Sequence, residues 1–379
     1  MIALPGLATR QHTGPALVVD LAAVAENTAL FARRATGELM AVVKADGFGH
    51  GAVDVARTAL AHGATRLGVA SIEEALALRA DGIDAPVLSW LNAVDADVAT
   101  AVTADVELAV PDREHLDAIV SRAPGASVHL HLDTGMARDG AAPTAWADLC
   151  RGARLAERRG LLRVVGVMGH LAATDPRSEA NASGRARFAW GVETARATGL
   201  RPAHRHLAAT AATLTDPLSH HTMSRVGAGL VGIDPTGTTE LRGALTLTAP
   251  LIGVRRVRAG TPVGHDHAWT APVGTWLGLL PLGYADGLPR AASGTAEVLV
   301  RGRRRPVVGL ISMDLAVVDL GEDAGDPGES VTVFGPGDHG EPTVAEWAGW
   351  AGTIPQDVVT GLGARLHRAR RPVALRTVR

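Results

Sequence analysis

Eight short apolar runs alternate with amphipathic, alanine-rich stretches between residues 39 and 232. The runs lack the polar/apolar alternation of half-exposed strands, which is typical of parallel strands buried on both faces. Helix signals separate the runs, for example Ser71 and Glu74 at capping-box spacing. Eight such units in about 200 residues favour an α/β fold with a closed (β/α)8 TIM-like barrel, and an open doubly wound sheet is the alternative. The predicted strands are Leu39–Lys44, Arg66–Ala70, Pro86–Leu91, Val106–Val110, Val128–Asp133, Val164–Leu171, His204–Ala209 and Ser224–Gly232.

The pattern changes near residue 241. Val-, Leu- and Thr-rich runs separated by Gly and Pro predict a mainly antiparallel β domain. We therefore expect a barrel domain at residues 12–240 and a C-terminal β domain at residues 241–379, with residues 1–11 as a candidate addition to the second. The strand-like run Ala16–Asp20 is a candidate partner for the β domain. The predicted β-domain strands are Ala244–Val254, Thr275–Leu282, Ala296–Arg301, Val307–Ser312, Ala316–Leu320 and Ser330–Phe334.

Charge and cysteine content narrow the classes of function. A formal net charge of −2 gives no electrostatic basis for binding nucleic acid or an anionic membrane. No apolar run approaches the ~18 residues of a transmembrane helix, and the N-terminus lacks the pattern of a signal peptide. The single cysteine, Cys150, excludes an internal disulfide and a Cys-rich zinc site. We expect a cytoplasmic protein that acts on a small molecule and holds no metal ion.

Lys44 is the most informative residue of the barrel domain. It ends an apolar run and precedes Ala45-Asp46-Gly47-Phe48-Gly49-His50-Gly51. Barrel enzymes place catalytic groups at the C-terminal ends of strands, where a partly desolvated lysine can serve as a Schiff-base nucleophile. Two other interpretations stay open at this point. Lys44 can simply cap a strand, and the spacing of Gly47, Gly49 and Ala52 matches a dinucleotide fingerprint that lacks its acidic partner.

The string Val42-Val43-Lys44-Ala45-Asp46, followed by Gly49-His50-Gly51, resembles the pyridoxal 5′-phosphate (PLP) lysine signature of fold-type III alanine racemases. Further motifs of this family follow in the same order over nearly the whole chain. The resemblance implies a PLP-dependent isomerase, an amino-acid racemase that interconverts L- and D-alanine for D-alanine biosynthesis. It also implies that Lys44 carries the cofactor.

Two further strand-end motifs of the barrel supply candidate cofactor ligands by this resemblance. In Asp133-Thr134-Gly135-Met136-Ala137-Arg138, Arg138 would donate to the phenolic oxygen of PLP and approach the substrate carboxylate, which suits a guanidinium fork. In Gly169-His170-Leu171, His170 would stack on the cofactor ring.

The last two strands carry the remaining barrel motifs. Thr210, in His206-Leu207-Ala208-Ala209-Thr210, would bind the phosphate. In Arg225-Val226-Gly227-Ala228, the backbone of Gly227 and Ala228 would approach the phosphate, as glycine permits. A charged Arg225 against the pyridine nitrogen would keep that nitrogen unprotonated and weaken the ring as an electron sink, which benefits a racemase.

Tyr284 is the only tyrosine of the sequence. Gly283-Tyr284-Ala285-Asp286-Gly287 resembles the family motif whose tyrosine comes from the partner subunit and is the second catalytic acid/base. Racemisation removes a proton from one face of Cα and delivers one to the other, so two groups are needed, here Lys44 and Tyr284. The family further implies a homodimer with shared active sites, and a substrate-carboxylate contact from the backbone of Met313.

Several positions depart from the family pattern. Phe48 and Gln356 stand where two tyrosines bind the PLP phosphate, so Gln356 is the one remaining polar candidate there. His131 replaces a lysine that is often carbamylated and that orients the arginine equivalent to Arg138. His265 replaces an entrance tyrosine, and Leu310 replaces an arginine beside the Met313-Asp314 motif.

These departures leave the substrate open. The first alternative is a racemase of another small amino acid such as serine, or a divergent fold-type III PLP enzyme of a specialised pathway. Arg225 argues against decarboxylation, because fold-type III decarboxylases pair the ring nitrogen with a carboxylate. The second alternative is a non-catalytic PLP-binding protein, a single barrel, against which the β domain and Tyr284 argue.

Overall fold

A computed structural model describes residues 14–373 as two compact units. One unit is Leu21–Arg242, and the other contains the described residues on either side of it. No helix within residues 14–373 is long and apolar enough to cross a bilayer. Strand β1 (Ala16–Asp20) begins the described chain and belongs to the second unit.

The first unit is an eight-stranded parallel sheet in the order β8-β7-β6-β5-β4-β3-β2-β9. Two backbone hydrogen bonds join its terminal strands, from Thr222 to Arg205 at 3.1 Å and from Arg225 to Ala208 at 3.0 Å, so the sheet closes. The predicted (β/α)8 barrel is confirmed and the open doubly wound sheet is excluded. The strands are β2 (Glu38–Val42), β3 (Arg66–Val69), β4 (Val87–Ser89), β5 (Val106–Val110), β6 (Ala126–His131), β7 (Leu162–Met168), β8 (His204–His206) and β9 (Met223–Val226).

Helices follow the strands, as the alternating sequence pattern predicts. Ser71 caps the helix after β3 by accepting the N–H of Glu74 at 3.3 Å. Part of the barrel interior is a cluster of buried residues from five strands (Met40, Leu88, Ala109, Met168 and Met223) with Trp90 against it. The helical elements are α1 (Leu21–Arg34), α2 (Lys44–Gly49), α3 (Ala52–Ala61), α4 (Ile72–Ala80), α5 (Val98–Thr103), α6 (Arg113–Arg122), α7 (Pro143–Arg158), α8 (Glu179–Ala197) and α9 (Thr210–Thr215).

The second unit is built on a nine-stranded sheet in the order β11-β14-β17-β16-β15-β18-β10-β1-β19. Every pairing in it is antiparallel except that of β1 with β19, which confirms the predicted β domain. Its remaining elements are β10 (Leu245–Pro250), β11 (Gly253–Val257), β12 (Pro262–Val263), β13 (Trp269–Thr270), β14 (Thr275–Leu280), β15 (Glu297–Val300), β16 (Arg303–Val308), β17 (Ala316–Gly321), β18 (Ser330–Phe334), α10 (Val344–Ala351), α11 (Pro355–Thr360) and β19 (His367–Arg371).

Some bounds differ from those expected. The predicted strand Val307–Ser312 is displaced to Arg303–Val308, because Gly309 at φ +69° ends it. The structural boundary between the units falls after Asp20 and not at residue 12, because β1 pairs with β10 and β19. The expectation for residues 1–11 lies outside the described residues.

Candidate active site

Lys44 lies one residue beyond the end of strand β2, after Val43, and precedes a left-handed segment of backbone. Residues 45–48 all have φ between +52° and +62°, although only Gly47 among them lacks a Cβ. A left-handed helical conformation costs roughly 1–2 kcal/mol for each residue with a Cβ. Glu74 supports the segment, because Oε1 accepts the N–H of Ala45 at 2.7 Å while Oε2 accepts a backbone N–H after β3 at 2.8 Å. Backbone strain is thus held beside Lys44, as is common at functional sites.

The surroundings of Lys44 favour its neutral amine. Burial lowers the pKa of Lys44, and the positive charge of Arg138 lowers it further, whereas the Glu74 carboxylate acts in the opposite direction. The neutral amine is the form that attacks a carbonyl carbon. The nucleophilic form of Lys44 is therefore populated at a lower pH than that of an exposed lysine.

Arg138 is carried by a loop that Asp133 holds in shape. Oδ1 of Asp133 accepts three consecutive backbone N–H groups, from residues 135–137, at 2.8–3.1 Å. The Arg138 side chain is exposed, yet its charge lowers the pKa of both Lys44 and Arg225. The charge of Arg138 therefore acts on Lys44 and on Arg225 at the C-terminal end of the barrel, where positive charge favours the binding of an anion.

His170 and Arg225 meet at the ends of β7 and β9. Nη2 of Arg225 lies 3.3 Å from Nδ1 of His170 and donates to the carbonyl oxygen of Gly169 at 2.7 Å. Burial lowers the pKa of His170 to about 3, and the charge of Arg225 adds to the effect, so this imidazole is neutral at physiological pH. Burial also lowers the pKa of Arg225 to about 10, which leaves the guanidinium charged.

A chain of buried polar side chains crosses the barrel interior from Arg225 to Glu107. Nη1 of Arg225 donates to Nδ1 of His206 at 3.0 Å, and Nε2 of His206 lies 2.8 Å from Nδ1 of His129. Nε2 of His129 lies 2.9 Å from Oε2 of Glu107. A guanidinium can only donate, so Nδ1 of His206 accepts and its proton lies on Nε2. Nε2 of His206 then donates to Nδ1 of His129, whose own proton lies on Nε2 and is donated to Glu107.

The protonation states of the side chains are consistent with this chain of hydrogen bonds. Burial lowers the pKa of both His129 and His206, which keeps the two imidazoles neutral. Although burial opposes the charge of Glu107, hydrogen bonds from His129 and Arg66 lower its pKa to about 2. The buried chain therefore ends in a carboxylate that is paired with Arg66.

Gly166 on β7 makes room for the His129 ring. A Cβ at Gly166 would lie 2.0 Å from Nδ1 of His129, a separation that non-bonded atoms do not reach. Alanine at this position would displace the imidazole and break its bond to His206. The barrel is therefore shaped around the polar chain as well as around its apolar core.

Thr210 and the turn after β9 bring hydrogen-bonding groups together. The short 3-10 helix Ala228–Val231 begins here, and the first N–H groups of a helix have no acceptor inside it. The N–H of Gly229 lies 3.4 Å from the buried hydroxyl of Thr210. A Cβ on Gly227 would lie 2.6 Å from the Phe48 ring, so glycine allows that ring to pack against the backbone. Backbone donors beside a hydroxyl are suited to a phosphate.

His131 is buried at the end of β6, beside the Arg138 loop. Its Nδ1 lies 3.2 Å from Oδ2 of Asp139. Burial raises the pKa of Asp139, but the contact with His131 outweighs that effect and leaves the pKa below its usual value. An imidazole and a carboxylate therefore flank the loop at the position where the family resemblance predicts a lysine.

Tyr284 lies in the second unit, on a short 3-10 turn. Its N–H donates to the carbonyl oxygen of Ser312 at 3.0 Å, and the N–H of Ala285 donates to that of Met313 at 3.0 Å. Tyr284 and Met313 are therefore on adjoining turns, with exposed fractions of 41% and 53%. The guanidinium carbon of Arg290 lies 5.8 Å from the centre of the Tyr284 ring.

The other substituted positions also belong to the second unit. Gln356 is half-buried in the first turn of α11, and His265 is exposed on a 3-10 turn after β12. Leu310 follows the glycine that ends β16 and is half-buried. The structure thus groups the sequence-predicted site residues as a barrel set around Lys44 and a β-domain set that contains Tyr284, Met313 and Gln356.

Comparison with known proteins decides the family. The alanine racemase N-terminal domain matches residues 19–235, and the alanine racemase C-terminal domain matches residues 244–370. The chain belongs to the alanine racemase family. An alanine racemase from Frankia casuarinae is 45% identical over 363 residues, which are 93% of this chain and 94% of that protein.

Solved structures of alanine racemases agree with this assignment. The alanine racemase from Streptomyces coelicolor A3(2) has a TM-score of 0.92 and 41% identity, covering 95% of this chain and 98% of that one. The alanine racemase from Bartonella henselae, solved with covalently bound pyridoxal phosphate, shares the fold at a TM-score of 0.85 and 24% identity over 94% and 99% of the two chains. Both domains of this alanine racemase family member are matched, which a single-barrel cofactor carrier does not explain.

The barrel residues fit the cofactor of the alanine racemase family. Lys44 offers a neutral amine, Arg138 and Arg225 offer positive charge, and the turn at Gly227 offers backbone donors. The amine, the Arg138 guanidinium and the backbone donors suit the aldehyde, the phenolic oxygen and the phosphate of PLP, and the Arg225 guanidinium suits its pyridine nitrogen. Within residues 14–373, no group of three or more His, Cys, Asp or Glu side chains is arranged to hold a metal ion.

Sequence reasoning missed the residues that support this site. The sequence pattern marks Glu74 only as part of a helix cap, whereas in the structure its side chain accepts the backbone N–H that follows Lys44. Glu107 and His129 interrupt apolar strands, and such an interruption was an available signal of a buried polar pair. Arg365, which binds the turn of Tyr284, left no signal, because arginine is frequent near the C-terminus.

Proposed function

We propose that this protein racemises alanine, with Lys44 and Tyr284 as the two acid/base groups and PLP as cofactor. Membership of the alanine racemase family makes it a PLP-dependent amino-acid racemase, an isomerase that acts on a small molecule. The observation that carries the residue assignment is the position of Lys44, a lysine of lowered pKa at the end of β2 among cationic side chains.

The barrel residues have distinct roles in this proposal. When bound, PLP would supply an electron-withdrawing group that makes the Cα proton of the amino acid removable. Lys44 binds the cofactor and exchanges a proton at one face of Cα. Arg138 holds the phenolic oxygen and the substrate carboxylate. His170 stays neutral and packs on the ring, while Thr210, Gly227, Ala228 and Gln356 hold the phosphate.

Arg225 sets the electronic character of the site. The direction of donation through His206 and His129 fixes Arg225 as a donor, and the chain of hydrogen bonds ends at the Glu107 carboxylate. A group that is charged and only donates cannot give up a proton to the pyridine nitrogen at neutral pH. The negative charge that develops at Cα is then short-lived, which favours immediate return of a proton over elimination.

The proposed assembly is a homodimer in which each Tyr284 serves the partner's barrel. Tyr284 and Met313 are exposed together, and Leu315 (37% exposed) and Ile354 (59% exposed) add to the apolar surface of the same unit. A second copy would cover these side chains, and a two-fold axis would give two equal sites. We place this dimer in the cytoplasm, as the sequence predicts.

The test is direct. Purified protein is expected to bind PLP, and borohydride treatment is expected to fix the cofactor to Lys44, identified by peptide mass. L-Alanine should become a mixture of enantiomers on incubation. Protein that takes up no PLP, or that binds PLP and racemises no amino acid, contradicts the proposal. Lys44→Ala should keep the fold and lose both properties.

A further inference from the structure

We propose that Arg365 is a positioning residue for Tyr284 and acts through Asp286. This inference rests on the proposed function, because it assigns Tyr284 to proton transfer. Nε and Nη2 of Arg365 donate to the two oxygens of Asp286, both at 2.9 Å. Nη1 donates to Oδ1 of Asp314 at 2.7 Å. One guanidinium thus joins the Tyr284 turn to the turn that follows Met313.

Asp286 is the buried centre of this Asp286–Arg365–Asp314 clamp. It is 5% exposed, and its Oδ2 also accepts the N–H of Gly283, the residue before Tyr284, at 2.9 Å. A buried carboxylate requires compensating donors, and a bidentate guanidinium fixes both the position and the plane of the group. The guanidinium fork of Arg365 therefore fixes Asp286, and Asp286 in turn fixes the backbone at the start of the Tyr284 turn.

The two turns are packed too closely to tolerate a shift. A Cβ on Gly283 would lie 2.2 Å from the carbonyl oxygen of Ser312 and 2.3 Å from that of Met313. The segment that carries Arg365 is tied to the same turn, since the N–H of Gly363 donates to the carbonyl oxygen of Asp286 at 2.9 Å. Three chain segments meet at Asp286. A substitution at Arg365 is therefore expected to move the backbone of the Tyr284 turn, and with it the phenol.

Lysine at position 365 keeps the charge but cannot bind Asp286 and Asp314 in the same geometry, since an ammonium lacks the planar fork. Misplacement of an acid/base group by about 1 Å can cost 10²-fold in rate. We therefore expect Arg365→Lys to lower the racemisation rate by about 10- to 100-fold. The proton transfer by Lys44 uses groups of the barrel unit and should be retained.

Deuterium exchange separates these two effects. In D2O, Lys44 removes the Cα proton of one enantiomer, exchanges it with solvent and returns a deuteron to the same face. This exchange with retention needs no Tyr284. Arg365→Lys should therefore raise the ratio of exchange to racemisation for one enantiomer, whereas a general loss of folded protein lowers both rates together.

Arg301→Lys is the matched control. Arg301 is 47% exposed in its side chain, against 52% for Arg365, and it also binds two carboxylates, Asp326 and Glu329. Both carboxylates follow β17, away from the Tyr284 turn in sequence. The control variant should leave the exchange ratio unchanged.

A second measurement does not depend on activity. Because Tyr284 is the only tyrosine, labelling with ¹³C-tyrosine gives one tyrosine signal in the NMR spectrum. Arg365→Lys should shift or broaden this signal, and Arg301→Lys should not. An unchanged ratio and an unchanged signal would overturn the positioning role while leaving the racemase proposal intact. A wild type that binds PLP but racemises nothing would overturn both.

Discussion

The two units present their proposed acid/base groups in opposite ways. In the barrel, Lys44 is partly buried, adjoins four left-handed residues and has a lowered pKa. In the β domain, Tyr284 is 41% exposed on an ordinary short turn that the clamp holds in place. Burial tunes the chemistry of Lys44, whereas the fixed turn leaves Tyr284 accessible to a partner. Lys44 is therefore adjusted by its own domain, whereas the position of Tyr284 fits the proposal that it serves the barrel of a second copy.

Exchange of subunits tests this comparison most severely. Lys44→Ala and Tyr284→Phe should each lower the racemisation rate at least about 10³-fold, since each removes one of two acid/base groups. Mixed dimers of the two inactive variants should regain one active site, because one barrel then meets an intact Tyr284. Activity of the mixture is measured after subunit exchange has been demonstrated with tagged chains. Continued inactivity would place both residues of one site in the same chain.

Glycine substitutions test whether the barrel interior leaves room for the His129 ring only because residue 166 has no side chain. Gly166→Ala should destabilise the protein by about 1–3 kcal/mol, as overpacking of a core does, because its Cβ would collide with His129. Gly349→Ala is the matched control in the β domain, since α10 leaves the space around Gly349 open. That control should stabilise by about 0.5–1 kcal/mol, because Gly is unfavourable within a helix. Denaturant unfolding measures both, and equal effects would contradict a barrel built around the His129 ring.

The barrel could be predicted well from the sequence, because parallel strands that are buried on both faces form continuous apolar runs. All eight strands were found, and β5 has the expected bounds. Two strands of the β domain were harder to predict, β16 inside the sheet and β19 at its edge. β16 begins with three arginines and β19 reads His-Arg-Ala-Arg-Arg, so neither resembles a strand until its pairing partner is known.

The site shows the same division. Lys44 lies at a strand end that local pattern predicts, and family motifs supplied the other candidate ligands. The contacts of Glu74 with Ala45 and of Arg365 with Asp286 join residues 29 and 79 positions apart. Such contacts depend on tertiary structure, and no local propensity encodes them. The left-handed conformation of Ala45, Asp46 and Phe48 likewise runs against the preference of these residues and exists only because the surrounding fold imposes it.

The pH dependence of cofactor linkage tests how burial tunes Lys44. Because burial disfavours the ammonium form, the pKa of Lys44 is lowered and its neutral fraction rises at a lower pH than for a free lysine. The rate at which apoprotein links PLP should therefore reach half of its maximum below pH 10.5. Glu74 raises the pKa of Lys44, so Glu74→Gln should move the midpoint to still lower pH. Glu73→Gln, on the exposed neighbouring residue, should not move it. A Glu74→Gln midpoint that is unchanged or higher would show that this carboxylate does not tune the lysine.

The smallest expected effect concerns substrate choice, where the β domain departs from the family pattern. Gln356 is half-buried at the start of α11, and His265 is exposed on a turn after β12. By the family resemblance, each stands at the position of a tyrosine. Glutamine is smaller than tyrosine and can hydrogen-bond a side-chain hydroxyl of a substrate. We expect kcat/KM for L-serine to lie within about tenfold of that for L-alanine, since apolar walls distinguish one methylene by only about 1–3 kcal/mol. Gln356→Tyr should restore preference for alanine by about tenfold, and His265→Tyr is the companion variant. Strong preference for alanine in the wild type, unaltered by Gln356→Tyr, would show that these substitutions do not set specificity.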